Sequence, residues 1–202
     1  MTIVAVKSGT GADIRRVELS DGSLFSFNIC YLPAVFFDDT RYTPGREISP
    51  GEEENFRFAS SCLRGEKTAL RLVGRAEQTS LGLRRKLEKA GYSSASARAV
   101  LARLEELEIV DDSRYARLWL RARLAYKAEG PRRLLAALRQ RGISRQDAEE
   151  ALRDTLDPAE ERTLLEKFLK KNRLSGEEPD IGNILRGEGF SPSLIREYRE
   201  SL

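Results

Sequence analysis

One segment of this chain carries an unusual concentration of arginine. Between Ser113 and Arg145 there are ten basic residues and a single acid, Glu129. Nine of the ten bases are arginine, whose planar guanidinium group binds phosphate or carboxylate through two parallel hydrogen bonds. The segment therefore predicts a surface that binds acidic groups. The candidate binding residues within it are Arg117, Arg121, Arg123, Lys127, Arg132, Arg133, Arg139 and Arg141.

The apolar residues around these bases recur with the period of an α-helix, which places the bases on two helices. The core-facing positions of the first helix are predicted to be Tyr115, Leu118, Trp119 and Ala122. Arg114, Arg117 and Arg121 then form a separate stripe, because residues three and four apart share one helix face. The inward residues of the second helix are predicted to be Leu134, Leu135 and Leu138. Arg132 and Arg139 are left on another side.

Other interpretations of this region compete with binding. An ordinary solvated helix face explains any single arginine equally well, so the inference rests on the segment as a whole. Tyr126 is the aromatic residue left to stack on a nucleic-acid base, since helical spacing places Tyr115 and Trp119 in the core. Asp111 and Asp112 could hold a magnesium ion, but a role as helix cap explains them better.

A second basic cluster lies earlier in the chain, on another predicted helix. It consists of Arg84, Arg85 and Lys86. Three adjacent bases are also typical of ordinary helix surface, so this cluster is a secondary binding candidate.

The composition argues against most enzyme mechanisms. The chain has no histidine, the side chain most used for proton transfer near neutral pH and for zinc ligation. Its two cysteines, Cys30 and Cys62, are too few for a disulfide framework or a four-thiolate zinc site, and we expect both to be buried, reduced thiols. We therefore expect a binding protein and not an enzyme, with no cofactor and no metal.

The chain shows no targeting or membrane signal. No apolar run approaches the roughly 18 residues that span a bilayer, and the first residues lack the charged-then-apolar plan of a signal peptide. We expect a cytoplasmic protein without membrane contact, and a monomer.

A short phrase recurs three times from about residue 67 onward, within a pattern of apolar residues at helical spacing. Its copies are Gly91-Tyr92-Ser93, Gly142-Ile143-Ser144 and Gly189-Phe190-Ser191. Glycine tolerates the left-handed conformation that ends a helix, and serine accepts an amide hydrogen bond at the start of the next helix. The spacing of the copies leaves room for about three helices of usual length. Each repeat is therefore predicted to be a three-helix unit.

The part that precedes the repeats has strand character. Apolar residues alternate on both sides of Asp21-Gly22, a strong signal for a β-hairpin. After a loop, Ser49, Pro50 and Glu52 supply the cap, first residue and acid of a helix that runs through Phe56.

These patterns predict a mainly α fold of tandem three-helix repeats in an elongated, curved array, with a small strand-containing N-terminal extension. The expected domains are a strand-rich extension with one helix and then three repeats. Their bounds are 1–66, 67–110, 111–156 and 157–202.

With the repeats in place, the sequence resembles the RecX family of recombination regulators over roughly residues 67 to 202. The matching blocks lie at 69–73, 84–92, 104–116, 130–134 and 138–143. The most specific are Val110-Asp111-Asp112-Ser113-Arg114-Tyr115-Ala116 and Gly130-Pro131-Arg132-Arg133-Leu134 with 138–143. The resemblance is weakest in the third repeat.

The resemblance implies tandem three-helix repeats and a regulator that binds in the groove of the RecA filament on DNA. There it would inhibit recombinase, ATPase and coprotease activities, and so modulate recombination, DNA repair and the SOS response. Contact with single- or double-stranded DNA would be weak or made through the filament. A direct nucleic-acid-binding module is the alternative, because three-helix units with exposed arginines also meet DNA duplexes. A passive scaffold is a third possibility.

Overall fold

The computed structural model describes residues 1–9, 11, 13–34, 43–175 and 178–201. It divides into two compact units. The first unit comprises residues 1–78 and 82–110, and the second comprises 79–81 and 111–202.

A three-stranded antiparallel sheet opens the first unit. Its strands are β1 (Ile3–Ser8), β2 (Ile14–Leu19) and β3 (Leu24–Asn28), in that spatial order. The turn between β2 and β3 contains Gly22 at φ +86°, a backbone conformation that glycine adopts without steric cost. The hairpin predicted at Asp21-Gly22 is confirmed.

Helix α1 (Pro50–Val73) packs against this sheet. It begins with the predicted capping box, in which Ser49 and Glu52 exchange side-chain-to-backbone hydrogen bonds. The rings of Phe27 and Phe56 stack with centroids 5.1 Å apart in the core. Helices α2 (Ser80–Lys89) and α3 (Ser94–Glu106) follow. Residues 80 and 81 of α2 belong to the second unit.

The boundary expected between residues 66 and 67 lies inside α1. The helix continues through Gly65. Glycine serves close packing at this position, because a Cβ would lie 3.3 Å from the Cγ2 of Val100. The Tyr31 hydroxyl also donates a 2.6 Å hydrogen bond to Glu66, tying the helix to residues before it. The extension and α1 therefore belong to one folded unit. The boundaries at 110/111 and 156/157 fall between helices, and the division into repeats stays a prediction.

The two cysteines differ in environment. Cys62 is buried as expected, and burial raises the pKa of its thiol to about 11. Cys30 is exposed, which corrects the expectation that both thiols are buried. It lies in a short 3₁₀ helix, Ile29–Tyr31, that follows the last strand, and such connections run over the surface.

The helices of the second unit surround two core clusters, and Leu124 and Leu156 pack against both. Helices α4 (Asp112–Tyr126), α5 (Pro131–Gln140) and α6 (Arg145–Thr155) surround one core, which includes Leu120, Leu134 and Leu138. Helices α7 (Pro158–Asn172), α8 (Ile181–Gly187) and α9 (Pro192–Glu200) surround the other, which includes Leu185 and Phe190. The predicted fold class, mainly α with a small strand-containing N-terminal part, is confirmed.

The three recurring turns have the predicted geometry. Gly91, Gly142 and Gly189 have φ values of +91°, +92° and +89°. The following serines cap α3, α6 and α9 by accepting hydrogen bonds from amides three residues on. The phrase is a helix stop followed by a helix start, as the sequence predicted.

Candidate functional site

Helix α4 buries a different face from the one predicted. Ala116 and Leu120 are fully buried, whereas Leu118 is 46% exposed and Ala122 is also exposed. Tyr115 and Trp119 border the core. The reason is that α4 packs on α6, whose buried residues are the small Ala148 and Ala151. Small residues let two helices approach closely, so the face of α4 that carries the short side chain of Ala116, together with Leu120, turns towards α6.

The predicted basic stripe on α4 has three different environments. Arg121 is exposed and Arg117 is partly exposed. Arg114 lies 3.7 Å from the carboxylate of Asp111, which also accepts a 2.9 Å hydrogen bond from the Arg114 amide. Asp111 is thus the N-terminal cap of α4, as expected. The neighbouring Asp112 accepts a hydrogen bond from the amide of Ser80 at 2.8 Å.

The one acid of the basic segment is buried and already bound. Glu129 is 5% exposed and accepts two hydrogen bonds from the Arg123 guanidinium, each 2.8 Å long. These bonds raise the pKa of Arg123. Arg133 Nε lies 3.9 Å from the same carboxylate, and Arg133 also pairs with Glu188 at 2.5 Å. Glu129 therefore holds together the end of α4 and the start of α5.

Trp119 brings a third arginine into this cluster. The guanidinium carbons of Arg141 and Arg123 lie 4.6 Å and 5.6 Å from its ring centroid, within the range of a cation–π interaction. Arg141 also donates a 2.8 Å hydrogen bond to the carbonyl of Ala137. The structure thus gathers Arg123, Arg133 and Arg141 around Glu129 and Trp119, where their guanidinium groups support the fold.

The remaining candidate binding residues of the basic segment have no acidic partner in the described part of the chain. Among the residues that the structure describes, none of them forms an ion pair. All are exposed except Arg117, which is partly exposed. We call them the unpaired cations: Arg117, Arg121, Lys127, Arg132 and Arg139.

Backbone contacts fix the start of α5 and with it Arg132. The amide of Gly130 donates to the carbonyl of Glu188 at 2.9 Å, and the amide of Arg132 donates to that of Gly189 at 3.0 Å. A Cβ at Gly130 would overlap the Gly189 backbone, so this approach requires glycine. The sequence pattern indicates Gly130 only as a helix start.

Arg121 also borders a cavity of about 300 Å³ that the sequence did not reveal. Lys167 of α7 lines it as a second cation, and the walls include Leu124, Leu156 and Leu164. Tyr126, the residue predicted to be free for stacking, is 85% exposed next to Lys127. The unpaired cations are thus accompanied by accessible apolar groups, which suits an acidic partner with apolar side chains.

The secondary cluster belongs to the first unit. Arg85 and Lys86 are exposed, and Lys86 donates a 2.5 Å hydrogen bond to the side chain of Gln78. Arg84 is partly buried, and its Nε has no hydrogen-bond partner among the described residues.

Metal-ligating side chains do not cluster in the described part of the chain. There, no group of three or more cysteine, aspartate and glutamate residues is arranged to hold a metal ion. Across the same residues, no helix combines the length and apolarity needed to cross a membrane.

Comparison with known proteins identifies relatives over most of the chain. The family model described as "RecX, second three-helix domain" matches residues 111–152. The regulatory protein RecX of Treponema pallidum is 36% identical over 140 residues, which are 69% of this chain and 85% of that protein. The regulatory protein RecX of Prosthecochloris aestuarii is 32% identical over 139 residues, covering 66% of this chain and 90% of that protein.

Two solved structures share the fold. A crystal structure of a regulatory protein RecX aligns with 100% of this chain and 99% of its own, with a TM-score of 0.73 and 20% identity. The crystal structure of RecX from Lactobacillus salivarius aligns with 71% of this chain and 99% of its own, with a TM-score of 0.60 and 22% identity.

Proposed function

This chain belongs to the RecX family of regulatory proteins, and on that premise we propose that it binds the RecA filament on DNA and inhibits RecA. The inhibited activities are strand exchange by the recombinase, ATP hydrolysis and coprotease-stimulated repressor cleavage. Through them the protein modulates recombination and the SOS response. In this role it is a regulator without a cofactor, it acts as a monomer in the cytoplasm, and it performs no catalysis of its own.

One observation carries the proposal: the five unpaired cations all lie in residues 111–152, the part that matches the second three-helix domain of the family. A nucleoprotein filament offers them two kinds of acid, carboxylates on the protein and phosphates on the DNA. A hydrogen bond to a charged group contributes about 1.5–3 kcal/mol when solvent is excluded. Several such contacts give a stable complex, while each exposed arginine alone contributes little to folding.

We assign the two sets of arginines different roles. Arg123, Arg133 and Arg141 are positioning residues, since their guanidinium groups are bound within the protein. The unpaired cations make the filament contact. Arg84, Arg85 and Lys86 remain secondary candidates on the first unit.

A direct nucleic-acid-binding module is the competing function, because the same cations could contact phosphates of bare DNA. The two functions differ in whether the protein binds the RecA filament more tightly than bare DNA. With phosphate contacts alone, the logarithm of affinity falls linearly with the logarithm of salt concentration, with a slope of about 0.9 per neutralised phosphate on duplex DNA. If the contacts also include protein carboxylates and apolar groups, the protein still prefers the filament to bare DNA at higher salt.

The test is fluorescence anisotropy of the labelled protein, titrated with RecA filaments on single-stranded DNA, with free RecA, and with the same DNA alone. We expect filaments to bind at least about tenfold more tightly than bare DNA, a difference of about 1.4 kcal/mol. The preference should persist when salt is raised. Equal affinities for filament and bare DNA at every salt concentration would overturn the proposal in favour of the direct module.

A further inference from the structure

A second basic site lies among the last helices, where α8 meets α9. A cleft of about 490 Å³ opens there. Its lining includes Gly182, Arg186, Ile195, Arg196, Arg199 and Glu200. Three of these residues are arginines with exposed side chains, and one is an acid. None of them belongs to the unpaired cations of the middle helices.

Two of the guanidinium groups converge on one point. A Cβ placed on Gly182 would lie 3.7 Å from Nη2 of Arg186 and 3.9 Å from Nη1 of Arg199. The two nitrogens therefore lie no further apart than the sum of these distances. Arg186 is also held in place, because its Nε donates a 3.0 Å hydrogen bond to the carbonyl of Gly182. Two cations therefore line the cleft on either side of the Gly182 position, and a hydrogen bond fixes one of them.

No carboxylate neutralises these arginines within the part of the chain that the structure describes. Two neighbouring acids are bound elsewhere: Glu188, the C-terminal cap of α8, pairs with Arg133, and Glu197 of α9 pairs with Arg162, each at 2.5 Å. Glu200 lines the cleft but forms no ion pair with a described residue. Like charges held close together without a counter-ion repel each other, so an anion bound between them would lower the free energy.

Gly182 keeps the space between the two guanidinium groups open. A Cβ at this position would make only ordinary van der Waals contacts, so packing does not require glycine here. Because Gly182 has no side chain, the space between the two guanidinium groups stays open.

We propose that this cleft binds a phosphate group of a nucleic-acid strand. Arginine pairs bind phosphate oxygens through parallel hydrogen bonds, and contacts of this kind hold a strand without reading its sequence. The cleft is larger than one phosphate, and Pro192 and Ile195 give it an apolar wall against which a sugar or base can lie. This site is independent of the filament contact proposed above.

The test measures binding of a short labelled oligothymidylate by fluorescence anisotropy. The background is a variant in which Arg121, Arg132 and Arg139 are changed to Ala, so that the middle helices do not dominate the signal. In this background, Arg186→Ala with Arg199→Ala should weaken binding about tenfold or more. The dependence of log affinity on log salt should become shallower by about 0.7 for each phosphate that the variant no longer neutralises.

Two controls make the result specific. Lys170→Ala with Lys171→Ala removes two exposed cations of α7 and should leave the affinity within about twofold. Gly182→Leu fills the cleft without removing a charge and should weaken binding like the arginine change. Circular dichroism spectra verify that each variant is folded. Affinity that is insensitive to the arginine pair in a folded variant overturns the proposal.

Competition experiments identify the source of the phosphate. Inorganic phosphate and thymidine monophosphate should displace the oligonucleotide only at far higher concentration than unlabelled oligonucleotide does. If either competes equally well, the cleft is a site for small phosphates and the strand proposal is wrong. If polyglutamate competes equally well, the ligand is an acidic peptide and the proposal is likewise wrong.

Discussion

Gly142 packs directly against Leu81, so closely that a Cβ at position 142 would overlap the Leu81 side chain. The adjacent carbonyl of Arg141 accepts a 3.0 Å hydrogen bond from the Thr79 hydroxyl. The turn between α5 and α6 is thereby joined to the start of α2. Gly91 has nearly the same φ, +91° against +92°, but a Cβ there would meet nothing within 4 Å. Both positions therefore require glycine for its backbone conformation, but only Gly142 also requires it for packing.

We predict that Gly142→Ala destabilises the protein more than Gly91→Ala does. Both substitutions incur the left-handed penalty of about 1 kcal/mol. Only Gly142→Ala adds a steric overlap, which typically costs a further 1–3 kcal/mol, roughly. Urea unfolding of the two variants checks this, and equal losses of unfolding free energy would show that the Leu81 contact yields without cost.

We predict that Glu129→Gln destabilises the protein by about 2 kcal/mol, because it removes the charge of a buried carboxylate that accepts two hydrogen bonds from Arg123. The matched control is Glu149→Gln. Glu149 pairs with Arg145 at 2.7 Å, but their side chains are 45% and 79% exposed, so the loss should be under about 0.5 kcal/mol. A double-mutant cycle with Arg123→Gln measures the coupling, and a coupling near zero would contradict the central role given to Glu129.

The capping box of α1 gives a pH-dependent prediction. Burial raises the pKa of Glu52, but hydrogen bonds from the Ser49 amide and from Arg46 outweigh it, and the net pKa lies below the ordinary 4.5. Since the folded pKa is depressed, the stabilisation is present above pH 4.5 and is lost as pH falls through the folded value. Glu52→Gln should therefore be less stable than the unmodified protein at about pH 7, with the difference shrinking in acid. Thermal melts across this range check it, and a difference independent of pH would refute the assignment.

Much of the fold could be predicted from local conformational preferences, whereas the pairings between residues far apart in the chain could not. The helix stops at Gly91, Gly142 and Gly189 follow from conformational preferences that act within a few residues. The prediction of which face of α4 is buried was wrong, because that face depends on the small residues of α6. The pairing of Arg133 with Glu188 joins positions far apart in the chain, and no local pattern reveals it. The same holds for the α8–α9 cleft, since Arg186 and Arg199 approach each other only in the folded structure.

We predict that changing Arg121, Arg132 and Arg139 together to Ala weakens suppression of RecA ATPase about tenfold or more while leaving the melting temperature nearly unchanged, because these exposed side chains have no ion pair among the described residues. The matched control changes Arg153, Lys170 and Lys171 to Ala. These three are also exposed and cationic and lie outside both proposed sites. If the two triple variants inhibit equally, the filament contact lies elsewhere on the chain.

Inhibition of RecA is measured by the rate of ATP hydrolysis by RecA on single-stranded DNA, with increasing amounts of the unmodified protein. The proposed inhibition predicts a saturable fall in the rate, reached below the concentration at which this protein binds the same DNA without RecA. A rate that stays constant across that range would contradict it. A fall that follows only the occupancy of bare DNA would contradict it as well.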